Sequence, residues 1–292
     1  MKERILATLA YADLFDYPLK KSEIWSWLIK RGKGESKDSK KEFEASLKDL
    51  LKTKSLQIIS GFYFLSGRKE IVKIRKKREK VSKEKIEKAK KIAKVLQILP
   101  WIRLIGITGG LARNNANSGD DIDFFIITQI KRLWLTRGLV ALFLTLTGLY
   151  RRKKKIKDQI CPNMLIDESN LEIKPHDLFM SHEVALMKPL VNKNEIYDRF
   201  LRTNLWAKKF LPNLSKWSVE SDKKDKKQEP LLKKKTFFDW LEISARKTQL
   251  SYMKSKRTKE IVTSNLIKFH PEDVRERVLG EYQKRLQKLK IS

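Results

Sequence analysis

Two short groups of residues in the middle of the chain have types and spacing suited to phosphate chemistry. Gly109 and Gly110 follow an apolar run, and Asp121 and Asp123 stand two apart just before another. Paired glycines let the backbone approach a phosphate, which N–H groups at a helix start can hold. Residues two apart in a strand share a face, so the two carboxylates would lie side by side. Such a pair needs a hard cation, and Mg²⁺ bound together with triphosphate oxygens fits it.

The elements that must position these groups are two short strands. The segments WIRLIGIT (101–108) and IDFFIIT (122–128) are rich in Ile and Phe, which is typical of buried strands. A short polar loop joins them. The glycines therefore follow one predicted strand, and the aspartates begin the next.

This arrangement resembles the nucleotidyltransferase superfamily, which includes DNA polymerase beta, the poly(A) polymerases and the minimal nucleotidyltransferases. The family pattern is a hydrophobic strand ending in Gly-Ser or Gly-Gly, a loop, and then Asp-x-Asp flanked by apolar residues. The resemblance covers about residues 97–213, and its motif core is 104–128. Phrases such as CPNMLI and HEVALMKPL also look like those of bacterial proteins with this domain. The resemblance implies an α+β fold with a mixed sheet.

The resemblance also implies roles for individual residues. Asp121 and Asp123 would be the catalytic residues that hold the metal, Mg²⁺ or Mn²⁺, and the triphosphate. Gly109 and Gly110 would contact the phosphates of the incoming NTP, and Arg113 would pair with a phosphate oxygen. The implied reaction moves a nucleoside monophosphate to an acceptor hydroxyl, mostly by positioning and charge neutralisation.

The sequence departs from the family pattern at two places. Gly110 stands where a serine is usual, which removes a hydroxyl contact to phosphate. Active members carry a third carboxylate on a later strand, and the corresponding strand here offers Asn163 at its centre, with Asp158 and Asp167 at its ends. The alternative is therefore a catalytically inactive member of the fold that acts as a nucleic-acid-binding or protein-interaction module.

The chain is expected to divide into five parts. The first part has three predicted helices and a hairpin around Gly61, an order that resembles a winged-helix domain, whose third helix usually meets nucleic acid. The alternative is that this module only packs on its neighbour. The predicted parts are a winged-helix-like module (1–68), a long basic connecting helix (69–98), a nucleotidyltransferase-like domain (99–213), a linker (214–235) and a helical extension (236–292).

The charge of the chain favours polyanionic partners. It has 292 residues, with 66 Lys and Arg against 35 Asp and Glu, and a net charge of +31. Such a surplus attracts nucleotides, DNA or RNA, or an anionic membrane surface. The predicted third helix would present five lysines to a nucleic acid: Lys40, Lys41, Lys48, Lys52 and Lys54. A solvated helix face is the other interpretation of the same residues.

The cysteine and the histidines of the chain are the remaining candidates for chemistry. One cysteine, Cys161, excludes an intramolecular disulfide and a multi-cysteine zinc site, and it is expected to be a small core residue. His182 and Glu183 share a predicted helix. They are expected to be a polar pair at its start, and the alternative is that they reach a substrate. His270, before Pro271, is expected to cap the last helix.

One apolar stretch raises the question of a membrane. Residues 138–150 are apolar or weakly polar, and RRKKK follows them. Thirteen residues are too few to cross a bilayer, which takes about 20. We therefore expect a buried helix in a cytoplasmic protein without a membrane span, with anchoring to a membrane surface through the basic cluster as the alternative.

Overall fold

The N-terminal part of the chain forms three helices and a three-stranded sheet. In the computed structural model, which describes residues 1–32, 39–218, 236–254, 261–268 and 273–291, the chain is α+β. The elements in order are α1 (Lys2–Asp13), β1 (Leu19–Lys20), α2 (Lys21–Ser26), α3 (Lys40–Lys52), β2 (Leu56–Ile59) and β3 (Phe62–Leu65). The sheet is antiparallel in the order β1-β3-β2. The three helices and the hairpin predicted from the sequence are thus confirmed.

Hydrophobic spacing explains why these segments fold as they do. Phe43, Leu47 and Leu50 recur on one side of α3 and are buried, while the lysines of the helix are exposed. Ile5 and Leu9 do the same in α1. A helix with one apolar stripe packs that stripe on the core and leaves its other face in water.

The long helix α4 (Ile71–Leu96) connects this module to the rest of the chain. Three of its basic side chains point inward. Arg75 pairs with Glu23 at 2.9 Å, Arg78 donates to the carbonyl of Phe15 at 2.9 Å, and Lys85 pairs with Asp158 at 2.5 Å. Part of the positive charge that the sequence places on this helix therefore holds the fold together and is not presented to a partner.

A six-stranded mixed sheet follows. Its strands are β4 (Ile102–Ile107), β5 (Ile122–Thr128), β6 (Ile160–Asp167), β7 (Lys188–Asn192), β8 (Ile261–Val262) and β9 (Leu266–Lys268), in the order β7-β4-β5-β6-β9-β8. Among these six described strands, β5 and β6 are the one parallel pair, and the other neighbours are antiparallel. The helices of this part are α5 (Gly109–Ala112), α6 (Leu133–Leu146), α7 (Leu178–Leu186), α8 (Ile196–Thr203), α9 (Phe237–Lys254) and α10 (Asp273–Lys288). Two short 3₁₀ helices, Leu205–Lys209 and Ser215–Ser218, follow α8.

The structure corrects three predictions of secondary structure. Residues 188–190, predicted as the end of a helix, belong to β7, because Pro189 disfavours the helical conformation in the residue before it and is tolerated on an edge strand. Residues 171–173 form no strand, because the side chain of Asn204 takes up the carbonyl of Leu171 and the N–H of Ile173 at 2.8 Å each. The predicted all-helical extension contributes β8 and β9 to the sheet.

Two predictions fall outside the described residues. The first is the linker, of which residues 219–235 are not described. The second is the cap of the last helix, because His270 and Pro271 also lie outside the described residues.

The helix from the apolar stretch, α6, packs against α9. Glu242 of α9 accepts the N–H groups of Trp134 and Leu135 at 2.8 Å each, which satisfies donors in the first turn of α6. Within the described ranges, no helix is long and apolar enough to cross a membrane.

Candidate functional site

The glycine pair lies where β4 ends and α5 begins. Gly109 has a φ of +65°, a conformation that residues with a Cβ rarely adopt. A Cβ at this position would also lie 3.5 Å from the carboxylate oxygen Oδ2 of Asp123. The positive φ is therefore what favours glycine here, and the turn brings the backbone close beside the aspartate.

The long helix α4 holds the loop between the glycines and the aspartates. The N–H of Ala116 donates to Oγ of Ser82 at 3.0 Å, and Nζ of Lys85 donates to the carbonyl of Asp120 at 2.7 Å. Ser82 and Lys85 are both buried. These bonds fix the point at which β5 begins, and so they fix the position of Asp121.

Asp121, immediately before β5, and Asp123, within it, lie on the same side of the sheet, as their spacing predicts. Ile122 and Phe124 between and after them are fully buried on the opposite face. Nε of Arg151 lies 2.6 Å from Oδ2 of Asp121. Burial, together with the charges of Asp121 and Glu183, raises the pKa of Asp123 from 3.8 to about 7.

Cys161 completes this cluster from the neighbouring strand. In the parallel pairing of β5 with β6, Cys161 is the partner of Asp123. One ligand atom from each of Asp121, Asp123 and Cys161 lies within 4.8 Å of the others. Burial and the two carboxylates raise the pKa of the Cys161 thiol well above its ordinary value, so the thiol is neutral. Cys161 is therefore part of the pocket wall, and not the small core residue that the sequence suggested.

Arg113 is fixed from two sides. Its Nη2 donates to Oε1 of Glu183 at 2.5 Å, and its guanidinium lies over the ring of Phe15, 4.5 Å from the centroid. Oε2 of Glu183 also accepts the N–H of Gly109 at 3.3 Å. The hydroxyl of Tyr17 donates to the carbonyl of Arg113 at 2.5 Å. Residues of the N-terminal module thus form part of the site.

Glu183 is held in place by its own helix. Asp177 caps α7 by accepting the N–H of Met180 at 2.8 Å. The neighbouring His182 is buried and stacks on Tyr11 with ring centroids 4.2 Å apart. Burial and the charge of Arg113 lower the pKa of His182 to about 3, so the ring is neutral. Of the two residues that the sequence singled out together, His182 is structural and Glu183 faces the site.

A pocket of about 410 Å³ unites these groups. Its polar wall contains six residues predicted from the sequence: Gly109, Gly110, Arg113, Asp121, Asp123 and Asn163. Its other wall is apolar and includes Phe125, Met164, Phe179 and Met180. The sequence did not anticipate Cys161, Arg151 or Phe15 as wall residues, since strand pairing and packing between distant segments bring them there.

The other two candidates for a third carboxylate lie elsewhere. Asp158 is taken up by its ion pair with Lys85. Asp167 stands at the far end of β6, where it accepts the N–H groups of Ser169 at 2.9 Å and Lys131 at 3.3 Å. Within the described part of the chain, the carboxylates that line the pocket are those of Asp121, Asp123 and Glu183.

The donor set fits a hard divalent cation. Asp121 and Asp123 offer two adjacent carboxylates, and the raised pKa of Asp123 marks a place where added positive charge would be favourable. The neutral thiol of Cys161 is a soft group and a poor ligand for Mg²⁺. The two aspartates would therefore hold the ion, with its further ligands supplied by phosphate oxygens and water.

Comparison of the chain with protein-family models, with curated proteins and with solved structures found no match. The function is therefore inferred from the geometry of the site.

Proposed function

We propose that this protein is a Mg²⁺-dependent nucleotidyltransferase that moves a nucleoside monophosphate from an NTP to an acceptor hydroxyl and releases pyrophosphate. The observation that carries the proposal is the pair of carboxylates at the start of β5, directly beside the glycine turn and in a pocket. In this proposal residues 99–213 form a nucleotidyltransferase-like domain, and residues 1–68 form a winged-helix module.

The chain's own residues bind and orient the triphosphate. Asp121 and Asp123 hold the cation, which neutralises charge on the phosphates when it is bound. The N–H of Gly109 and the guanidinium of Arg113 already converge on a single carboxylate, that of Glu183. A phosphate is also an anion with several acceptor oxygens, so the same two donors suit it.

Glu183 takes the place of the third carboxylate in this proposal. Asn163 cannot accept a proton at neutral pH, and Asp158 and Asp167 lie outside the pocket wall. When phosphate oxygens take over Arg113 and the N–H of Gly109, the carboxylate of Glu183 is released from both. It is then free to accept the proton of the acceptor hydroxyl.

Nucleotide binding tests the proposal. Each labelled NTP is titrated against the full chain with Mg²⁺ and with EDTA, and the same titration is made with the variant Asp121→Asn/Asp123→Asn. The matched control is Glu84→Gln/Glu87→Gln, which removes the same charge from exposed positions on α4. We expect metal-dependent binding that is lost in the first variant and retained in the control. Unchanged binding in the first variant would refute the site.

A second candidate function is nucleic-acid binding without turnover. Two observations favour it: the helix–strand–helix–helix–strand–strand order of the N-terminal module and the exposure of Lys48 and Lys52 on α3. In this case duplex DNA or RNA binds in a salt-dependent manner. The variant Lys48→Glu/Lys52→Glu would lower the slope of log affinity against log salt by about two. Lys284→Glu/Lys288→Glu on α10 is the control, and equal effects of the two variants would exclude α3 as the contact.

A further inference from the structure

The C-terminal end of α6 exposes two leucines on one side. Leu142 is 54% exposed and Leu146 is 78% exposed. Residues four apart are neighbours on a helix surface, so the two side chains form one apolar strip. The exposure is confined to one side of the helix, because Val140 and Leu144 are fully buried in the core.

A basic turn, defined here as residues 152–157, follows α6 in the chain and is bonded to its C-terminal end. The backbones of Arg152 and Lys155 exchange two N–H···O bonds of 3.0 Å, which places Lys153 and Lys154 at the tip. Nζ of Lys155 donates to the carbonyl of Gly148, just after α6, at 3.0 Å. The turn is therefore tied to the end of the helix that carries the leucines.

The positive charge of the basic turn is available to a partner. Five of its six residues are Lys or Arg, and all six are exposed. The sixth, Ile156, adds a side chain that is 39% exposed. Among the residues described, no carboxylate forms an ion pair with Arg152, Lys153, Lys154 or Lys157. The preceding Arg151 differs, because it is paired with Asp121 in the site.

We propose that Leu142, Leu146 and the basic turn form a surface that binds an anionic lipid bilayer. The leucines would enter the boundary between head groups and acyl chains, and the lysines would contact the lipid phosphates. Long basic side chains suit this geometry because their apolar stems can lie along the interface while their charges reach the head groups.

The exposed leucines favour a bilayer over a nucleic acid. Both partners offer phosphates to the basic turn, but only the bilayer also removes adjacent apolar side chains from water. This surface is separate from the lysines of α3 and does not depend on the proposed enzymatic function.

Vesicle co-sedimentation of the full chain tests the proposal. The vesicles are phosphatidylcholine alone and phosphatidylcholine mixed with phosphatidylglycerol. We expect binding to the mixed vesicles and little binding to phosphatidylcholine alone. Leu142→Gln/Leu146→Gln should weaken the binding at least about tenfold. Lys153→Gln/Lys154→Gln/Lys157→Gln should weaken it by about a hundredfold.

Matched controls separate the surface from general effects. Ile58→Gln/Ile59→Gln removes two exposed apolar side chains on β2, and Lys284→Gln/Lys288→Gln/Lys290→Gln removes three exposed charges near the C-terminus. Both controls should bind like the original chain, and circular dichroism checks that every variant is folded. Equal binding to both vesicle types, or no binding, would overturn the proposal. So would binding to the mixed vesicles that depends on the lysines but not on the leucines, because the leucines would then not enter the bilayer.

Discussion

Replacing Asp123 with Asn should stabilise the metal-free protein while abolishing metal-dependent nucleotide binding. The pKa of Asp123 is about 7 in the folded protein, against 3.8 ordinarily. The folded state therefore holds the proton more tightly than the unfolded state. As pH rises from 3.8 to 7, the unfolded state is the first to lose its proton, so stability falls over this window and then levels off.

The size of the effect follows from the shift in pKa. Each unit corresponds to about 1.4 kcal/mol, so the raised pKa destabilises the fold by about 4 kcal/mol near pH 8, where folded Asp123 is ionised. Near pH 5 the folded state keeps the proton that the unfolded state has lost, and the cost is about 2 kcal/mol. Asparagine has nearly the same shape and no charge to bury. We therefore expect Asp123→Asn to raise the melting temperature by roughly 8 °C near pH 8 in EDTA, and by clearly less near pH 5.

Thermal unfolding of the original chain and the variant at the two pH values provides the measurement. Asp121→Asn is the matched control, because it removes the same charge from the same site but also breaks the ion pair with Arg151. Because the charge of Asp121 contributes only part of the pKa shift of Asp123 and its ion pair is lost, this variant should stabilise the fold clearly less than Asp123→Asn. The reasoning is refuted if Asp123→Asn melts at or below the original temperature near pH 8, or if its melting temperature rises equally at both pH values. Either result would show that the pKa of Asp123 is not raised by its burial.

Two further predictions concern residues around the site. Lys85→Met should lower the free energy of unfolding in urea by about 3 kcal/mol, because it leaves Asp158 without its partner and frees the carbonyl of Asp120; a variant of unchanged stability would show that the pair contributes little. His182 should remain neutral near pH 5, because burial lowers its pKa to about 3. Its contribution to stability is complete above pH 6.5 and is lost as the pH falls toward 3, so a ring signal in NMR that titrates near pH 6.5 would contradict its buried position.

The parts of the site that the sequence predicts are those encoded by local spacing. Gly109 and Gly110 follow an apolar strand, and Asp121 and Asp123 alternate with buried residues, so a few neighbouring positions define both groups. Cys161 enters the cluster only through the parallel pairing of β5 with β6. That register depends on the whole sheet, and no short stretch of sequence reveals it.

The position of Glu183 in the site could not be predicted from the sequence either. Its helix was predicted, but the helix has apolar residues on most sides, and the pattern does not tell which side chain faces the site. The orientation of α7 depends on Asp177 at its start and on the stacking of His182 on Tyr11, more than 170 residues away in sequence.

The error at β7 has a local cause. Apolar residues with helical spacing continue up to Pro189, so the pattern does not reveal where the strand begins.

The contacts of Phe15 determine how the site has to be studied. Its carbonyl accepts Nη1 of Arg78 at 2.9 Å and Nδ2 of Asn115 at 2.8 Å, and its ring lies beneath Arg113. The turn after α1 therefore supports the loop that carries the donors proposed to bind phosphate. Without the N-terminal module Arg113 would lose both its stacking partner and the bond from Tyr17 to its carbonyl. A truncated domain that fails to bind nucleotide would report the loss of this support, so a negative result is informative only for the whole chain.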